Sequence, residues 1–319
     1  MPSKSTYQVG GHSFALEYAN EMLSEKELLS YAPFRTDSSY EEDKLFTLSF
    51  TDAPEALDTK GPVSAVLEDE NGRMTLFKEK DGCLTIYVTA ITDCHCCRIR
   101  ISKDYHFAKA WIGGTLSERR YALDTALMLL YTFASSKHDT LLVHASAVDL
   151  NDKGYLFLGK SGTGKSTHSR LWIENISGTE LLNDDNPIIR IVDEKVYVYG
   201  SPWSGKTSCY RNRRITAGGI VRLHQAPLNE ISSLTGIKAY AALLPSCSCM
   251  KWDHIMAEAI HSTITKVISM IPIYSLSCLP NQEAALICFK ELTTNNLVKT
   301  HGPCVFSSSR DESATYHRQ

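Results

Sequence analysis

The stretch Gly159-Lys-Ser-Gly-Thr-Gly-Lys-Ser166 satisfies G-x-x-x-x-G-K-[ST], the Walker A pattern of a phosphate-binding loop. The apolar run Tyr155-Leu-Phe-Leu158 before it predicts a buried strand, and Ser166-Thr-His-Ser-Arg-Leu-Trp-Ile173 after it predicts the start of a helix. The motif requires this order of strand, loop and helix. In such a loop the backbone N–H groups point at phosphate oxygens, and the positive end of the helix dipole lies behind them.

The loop residues have predicted roles in nucleotide binding. Lys165 would neutralise the β- and γ-phosphates of ATP, and the Ser166 hydroxyl would hold Mg²⁺. The alternative is a glycine-rich turn that caps a helix and binds nothing. The predicted nucleotide-binding residues are Gly159, Lys160, Ser161, Gly162, Thr163, Gly164, Lys165, Ser166 and Thr167.

A second stretch, Gly200-Ser-Pro-Trp-Ser-Gly-Lys-Thr207, matches the same pattern. Pro202 has no N–H to offer, Trp203 would crowd the phosphates, and no apolar helical stripe follows. We therefore predict that this stretch is not a second phosphate loop, although it could face the same site. The cations after it, Arg211, Arg213 and Arg214, are either a solvated basic loop or a binding site for an acidic acceptor.

His144 lies on an apolar strand predicted over Leu141–Val148, directly before the strand that leads into the phosphate loop. The turn Asn151-Asp-Lys-Gly154 between them is so short that the strands must form an antiparallel hairpin. That register places His144 opposite residues 158–159, beside the mouth of the loop. The alternative is a core histidine whose two nitrogens are satisfied by the backbone.

Two acidic residues, Asp184 and Asp185, end the short apolar strand that follows the loop helix. Carboxylates at this position can bind Mg²⁺ or accept a proton from an attacking alcohol, and an Asx turn with solvated carboxylates is the alternative. Neighbouring side chains on a strand point to opposite faces, so we expect different roles for the two.

The rest of the chain indicates three parts. The sequence pattern predicts a small β-rich N-terminal domain over residues 1–115 and the phosphate-loop domain over residues 116–298. It predicts a flexible tail over residues 299–319. Ser117 predicts the cap of a buried helix over 120–133. Further predicted elements are an amphipathic helix over 251–270, a strand over Ile273–Cys278, and a strand or helix over Ala284–Phe289.

Composition narrows the class of protein. The 319 residues carry 33 Lys and Arg against 36 Asp and Glu, a net charge of −3, which gives no electrostatic reason to expect nucleic-acid or membrane binding. We find no signal peptide or membrane-spanning run, so the expected location is the cytoplasm. The cluster Cys94-His95-Cys96-Cys97 lacks a partner cluster at metal-site spacing and predicts a strand with thiols packed on one side.

The order of these segments resembles the C-terminal catalytic domain of HPr kinase/phosphorylase: His144-Ala-Ser, then Gly159–Ser166, then Asn183-Asp-Asp-Asn186, then Gly200-Ser-Pro-Trp. That family shares its nucleotide-binding fold with ATP-dependent phosphoenolpyruvate carboxykinase. The resemblance implies an α/β (α+β) fold in which the phosphate-loop domain has a mixed sheet. It also implies that Asp185 is the base acting on a serine hydroxyl, that His144 supports it, and that Ser166 and Asp184 lie near the metal.

Within this family, the chain is more similar to the divergent HPr-kinase-like proteins. We therefore predict an ATP- and Mg²⁺-dependent kinase with His144, Lys165 and Asp185 as catalytic residues, acting on a hydroxyl-bearing protein, peptide or small molecule. An ATP hydrolase and a non-catalytic nucleotide-binding regulatory module are the alternatives. The sequence leaves open the donor (ATP, GTP or pyrophosphate) and whether the chain forms a homo-oligomer.

Overall fold

The computed structural model describes residues 3–19, 21–36, 44–58, 61–69, 72–205, 207–248 and 253–298. It has a mixed α/β architecture with two large sheets, which confirms the predicted class. The predicted tail over 299–319 lies outside the described residues, and so does Lys206 of the second glycine-rich stretch. No helix in the described part of the chain is long and apolar enough to cross a membrane.

The first sheet has nine strands in the order β3-β1-β2-β4-β9-β8-β7-β6-β5. Its strands are β1 Ser3–Val9, β2 His12–Tyr18, β3 Arg35–Thr36, β4 Lys44–Phe50, β5 Val63–Asp69, β6 Gly72–Lys78, β7 Leu84–Ala90, β8 His95–Ile101 and β9 Phe107–Ile112. β4 runs parallel to both its neighbours, and the other pairs are antiparallel. Two short 3₁₀ helices, Leu29–Phe34 and Pro54–Leu57, lie in its connections.

Helix α1, Leu116–Ser135, connects the first sheet to the second. Its cap is Thr115 rather than the predicted Ser117: the Thr115 hydroxyl accepts from the Glu118 N–H, and the Glu118 carboxylate accepts from the Thr115 N–H. The helix packs on β8 and β4 of the first sheet, although the sequence assigned it to the second domain. One cluster of buried side chains runs through both sheets, and the division into domains stays a prediction.

The second sheet has the order β10-β14-β15-β16-β12-β11-β13, and β18 and β17 extend it beside β16. Its strands are β10 Thr140–Leu142, β11 Ala145–Leu150, β12 Lys153–Leu158, β13 Thr179–Asp185, β14 Ile188–Val192, β15 Lys195–Tyr199, β16 Arg214–Gln225, β17 Glu230–Leu234 and β18 Ile273–Cys278. β16 is parallel to β12 and β18, whereas β11 is antiparallel to its neighbours, so the sheet is mixed.

Four more helices cover this sheet: α2 Lys165–Asn175, α3 Gly236–Leu243, α4 His254–Met270 and α5 Gln282–Val298, with a 3₁₀ turn at Leu244–Ser246. The helix predicted over 251–270 is α4, whose N-cap is Asp253. Residues 284–289, left open between strand and helix, are helical within α5. Along β12, Tyr155 and Phe157 pack in the cluster beneath α2 and α5, and the alternate residues pack in the larger core. Both faces of the strand are buried, which explains its continuous apolar run.

The cysteine-rich stretch forms β8, as predicted. Cys96 and Cys97 are both buried free thiols, and Cys96 is the extra residue at a break in the register, because Val88 of β7 lies opposite Cys97 and Thr89 opposite His95. Burial raises the pKa of the Cys96 thiol to about 11. No group of three or more His, Cys, Asp and Glu side chains suited to a metal occurs in the described ranges. Both thiols belong to the same buried cluster, where they pack as small apolar groups.

Candidate active site

The phosphate loop lies between the end of β12 at Leu158 and the first turn of α2 at Lys165. Gly162 and Gly164 have φ angles of +78° and +107°, in the left-handed region that favours glycine. A Cβ atom built on either would meet nothing within 4 Å, so the loop is open on its outer side. Gly164 is the N-cap of α2 and provides no side-chain cap, which leaves the first N–H groups of the helix available to an anion.

Lys165 is held at the inner side of the loop. Its Nζ donates to His144 Nε2 at 2.7 Å and to the Gly159 carbonyl at 3.1 Å. Burial lowers the pKa of Lys165, while the nearby carboxylates of Asp185 and Asp184 raise it. The ammonium is therefore positioned between the loop and the two carboxylates.

His144 lies at a break between two strands rather than within the single strand predicted over 141–148. β10 pairs with β14, β11 pairs with β12 and β13, and the His144 N–H between them donates to the Ser246 carbonyl at 2.7 Å. The predicted hairpin is confirmed: Ala145 lies opposite Leu158, so residue 144 falls beside the start of the phosphate loop. The break frees the ring from the strand and turns it toward Lys165.

The His144 ring joins Lys165 to Asp185. Its Nδ1 lies 3.1 Å from Asp185 Oδ1. A lysine ammonium can only donate, so Nε2 is the unprotonated nitrogen and Nδ1–H donates to the carboxylate. The result is a chain of hydrogen bonds from Lys165 through His144 to Asp185, which fixes both the ring and the carboxylate.

Asp184 and Asp185 end β13 in different environments. Asp184 is 6% exposed, and its Oδ1 is buried without a hydrogen-bond partner in the described structure. Asp185 has a side chain that is 33% exposed, and its Oδ2 accepts from the Asn186 side chain at 2.8 Å. An unpartnered buried carboxylate oxygen costs free energy unless a cation or donor meets it. Asp184 thus has the environment of a metal ligand.

Asn183 begins the Asn-Asp-Asp-Asn stretch, but the sequence predicted no role for it. It is fully buried, and its Oδ1 accepts from the N–H groups of Asp185 and Asn186 at 3.0 and 2.9 Å. Its Nδ2 donates to Ser201 Oγ at 3.1 Å, which attaches the second glycine-rich loop to the end of β13. The Asn-Asp-Asp-Asn pattern is typical of such an Asx turn, and this was the available signal.

The second glycine-rich stretch is not followed by a helix, since β16 begins only at Arg214, and this confirms that it is not a second phosphate loop. It lies against the site nevertheless: the Gly205 N–H donates to the Asp184 carbonyl at 3.0 Å, and Ser204 pairs with Asp185. A Cβ on Gly205 would lie 2.9 Å from that carbonyl, so the close approach requires glycine.

The three arginines after this stretch do not line the cavities of the site. Arg211 pairs with Glu180, and Arg213 pairs with Asp149 and Asp152 at 3.0 and 2.7 Å. The Arg214 guanidinium lies over the ring of Tyr197. These contacts occupy the guanidinium groups, so the structure gives no support to an acceptor site at the arginines.

Most predicted residues line one cavity of about 530 Å³. Its lining includes Ser161, Gly162, Gly164, Lys165, Ser166, Thr167, His144, Asp184, Asp185 and Gly205. Gly159 is buried beneath it, Lys160 points to solvent, and Thr163 lines a neighbouring cavity. Ser166 and Asp184 fit a Mg²⁺ ion, because this cation usually takes one or two carboxylates together with phosphate oxygens and water.

The neighbouring cavity, of about 470 Å³, lies on the other side of Gly162–Gly164. His168 lines it and is 2% exposed. Its Nε2 accepts from Trp172 Nε1 at 3.2 Å, and its Nδ1 has no partner in the described structure. Burial lowers the pKa of His168 to about 4, so the ring is neutral and Nδ1 carries the hydrogen. The Nδ1–H donor is therefore buried and has no partner in the described structure.

Comparisons with known proteins include a likeness to a solved structure. No family model and no curated protein matches the chain. The solved structure of the HPr(Ser) kinase/phosphatase from Coxiella burnetii is similar at 14% identity, over 50% of this chain and 99% of that chain, with a TM-score of 0.29. A TM-score this low does not establish a common fold, so the family resemblance stays a prediction.

Proposed function

We propose that the protein is an ATP- and Mg²⁺-dependent phosphotransferase of the HPr-kinase-like type, which moves the γ-phosphoryl group to the hydroxyl of an acceptor. The hydrogen-bonded chain from Lys165 through His144 to Asp185, beside an open phosphate loop, carries this proposal. It brings together the cation, the loop and the carboxylate that phosphoryl transfer to an alcohol needs.

The donor half of the reaction uses the loop. Lys165 has three donors, so it can exchange its contact with the Gly159 carbonyl for phosphate oxygens. Ser166 and Asp184 would hold Mg²⁺, which supplies charge neutralisation at the phosphates when bound. The orphaned Oδ1 of Asp184 supports this assignment, because a cation there compensates its burial.

The acceptor half uses Asp185. Its carboxylate takes the proton of the acceptor hydroxyl as the new oxygen–phosphorus bond forms and the bond to the β-phosphate oxygen breaks, leaving ADP. His144 positions this carboxylate through its Nδ1–H and does not take the proton itself. His144 contacts Oδ1 and Asn186 donates to Oδ2, and each carboxylate oxygen keeps a second lone pair that can accept the proton.

A nucleotide rather than pyrophosphate is the proposed donor. The cavity beside Gly162–Gly164 has apolar walls at Leu171 and Leu223. A purine base offers a flat apolar face, which matches these walls. Pyrophosphate would leave this cavity unused.

The test uses γ-labelled ATP, Mg²⁺ and cell lysate with the native protein and four variants. Lys165→Met and Asp185→Asn are the test variants. The matched controls are Asp193→Asn, on the exposed turn between β14 and β15, and Lys195→Met, at the exposed start of β15. We expect label on a lysate component with the native protein and both controls, no transfer with either test variant, and retained ATP binding in Asp185→Asn. Label found only as free phosphate would favour a hydrolase, ATP binding without turnover would favour a regulatory module, and absence of nucleotide binding would refute all three.

A further inference from the structure

A third cavity, of about 550 Å³, adjoins the cavity of about 530 Å³ at the phosphate loop, which we name the nucleotide cavity. The two cavities share His144, Ser161 and Asp185. Its other walls come from α1, from β6 of the first sheet and from the second glycine-rich loop. This acceptor cleft, as we name it, therefore opens directly onto the proposed catalytic carboxylate. Its volume suits a small molecule.

The lining of the acceptor cleft combines an apolar surface with two carboxylates. Met74, Met128 and Trp203 provide apolar surface, and the carboxylates are Asp185 and Asp124. No Lys or Arg of the described ranges lines it. The fixed charge of the acceptor cleft is thus negative, which disfavours an anionic acceptor and favours a cationic one.

Asp124 has a free oxygen at this surface. Its Oδ1 accepts from the Tyr31 hydroxyl at 2.7 Å, and its Oδ2 has no hydrogen-bond or ion-pair partner within the described part of the chain. Arg120, one turn earlier on α1, acts on Asp124 electrostatically but does not line the acceptor cleft. Burial raises the pKa of Asp124 to about 6, the opposite of what a bound cation would produce. The Asp124 carboxylate is therefore half-buried, and one of its two oxygens has no hydrogen-bond partner in the described structure.

The position of Asp124 is fixed relative to Asp185. Tyr31 is fully buried, and its hydroxyl also accepts from Trp203 Nε1 at 3.0 Å. Trp203 precedes Ser204, which pairs with Asp185. One chain of contacts thus joins the carboxylate on α1 to the carboxylate on β13, and the acceptor cleft between them is a preformed site with two ends.

We propose that the acceptor cleft binds an alcohol that also carries a positively charged amine on an apolar spacer, with the amine at Asp124 and the hydroxyl at Asp185. This inference deepens the proposed function and rests on it for the chemistry at Asp185. The substrate class is a small hydroxylated amine. The N-terminal half of the chain then contributes acceptor specificity, since Asp124, Tyr31 and Met74 all lie outside the phosphate-loop sheet.

The experiment measures binding of three probe alcohols with one hydrocarbon chain and different charge: aminohexanol, hexanediol and hydroxyhexanoate. Dissociation constants are measured by calorimetry with the full chain and MgADP. We expect aminohexanol to bind about tenfold more tightly than hexanediol, as for a hydrogen bond to a charged group, and hydroxyhexanoate most weakly. We expect the preference for aminohexanol over hexanediol to disappear in Asp124→Asn and to be retained in the control Asp193→Asn.

A second variant keeps the test independent of how well Asp124→Asn folds. Met128→Lys places an ammonium one helical turn from Asp124 inside the acceptor cleft, so we expect it to abolish aminohexanol binding and to affect hexanediol less. Equal affinities for the three alcohols, or a preference that survives both substitutions, would overturn the inference. If aminohexanol binding depends on Asp124 but no phosphate ester forms, the amine site is supported and the proposed kinase activity is refuted. If label is transferred to a lysate component but the three alcohols bind with no charge preference, the kinase activity is supported and the amine site is refuted.

Discussion

Replacing Asp124 by Asn is expected to stabilise the protein at neutral pH and to have a smaller effect in acid. Asp124 is a half-buried carboxylate on α1 whose Oδ1 accepts from the Tyr31 hydroxyl. Asparagine keeps that acceptor and nearly the same shape, so the substitution removes charge and little else. The comparison therefore isolates the free energy of holding this charge inside the fold.

The magnitude follows from the pKa. Burial raises the pKa of Asp124 from 3.8 to about 6, against smaller opposing effects of the Tyr31 hydrogen bond and the Arg120 charge. A raised folded-state pKa means that the protonated carboxyl stabilises the fold below the unfolded value, and that this contribution is lost as pH rises through the folded value. At about 1.4 kcal/mol per pKa unit, the native protein loses about 2 kcal/mol relative to Asp124→Asn between about pH 4.5 and about pH 7.5.

Urea unfolding of both proteins across this pH range measures the difference, since shifts of other groups cancel in the comparison. The free energy of unfolding of Asp124→Asn should exceed that of the native protein by most at about pH 7.5, and the two curves should converge toward about pH 4.5. Parallel curves across the range would refute the argument, because they would mean that Asp124 titrates with the same pKa in the folded and unfolded states.

Two further substitutions test the backbone of the loop and the contact between the halves of the chain. Gly164→Ala should lower the free energy of unfolding by about 1–2 kcal/mol and weaken ATP binding. The φ of +107° at this position strains any residue that has a Cβ, although no neighbour would clash with that atom. Equal stability of the variant and the native protein in urea would contradict this prediction. Tyr31→Phe should lower the free energy of unfolding by about 3 kcal/mol, because it leaves Asp124 Oδ1 and Trp203 Nε1 without their shared hydrogen-bond partner. A loss of under about 1 kcal/mol in the same assay would show that water replaces the hydroxyl.

The parts of the site that the sequence predicted depend on short-range rules. Asn151 and Asp152 both have positive φ angles, so the hairpin between β11 and β12 closes through a two-residue turn that fixes its register. That register places His144 beside Gly159 whatever the rest of the fold does. The phosphate loop was equally local, because its pattern, strand and helix all lie within about 20 residues.

The acceptor cleft could not be predicted in this way. Tyr31 and Asp124 are 93 residues apart, and Tyr31 and Trp203 are 172 residues apart, so no periodicity or turn rule relates them. The break at His144 was also missed, since an apolar run on the sequence does not reveal that β10 pairs with β14 while β11 pairs with other strands. Both features follow from the packing of the two sheets, which only the folded chain defines.

In the proposed reaction, the two carboxylates at the end of β13 would let one strand serve two substrates. Asp184 lines the nucleotide cavity, whereas Asp185 lines both that cavity and the acceptor cleft. Because consecutive strand residues point to opposite faces, the first is buried near Ser166 and the second is directed at His144 and the acceptor cleft. Asn183 holds both backbone N–H groups after Asp184 in place, so neither carboxylate can take the other's position. Identical side chains at adjacent positions thus acquire different surroundings from the geometry at the end of the strand, and the separate roles that we propose for them rest on this difference.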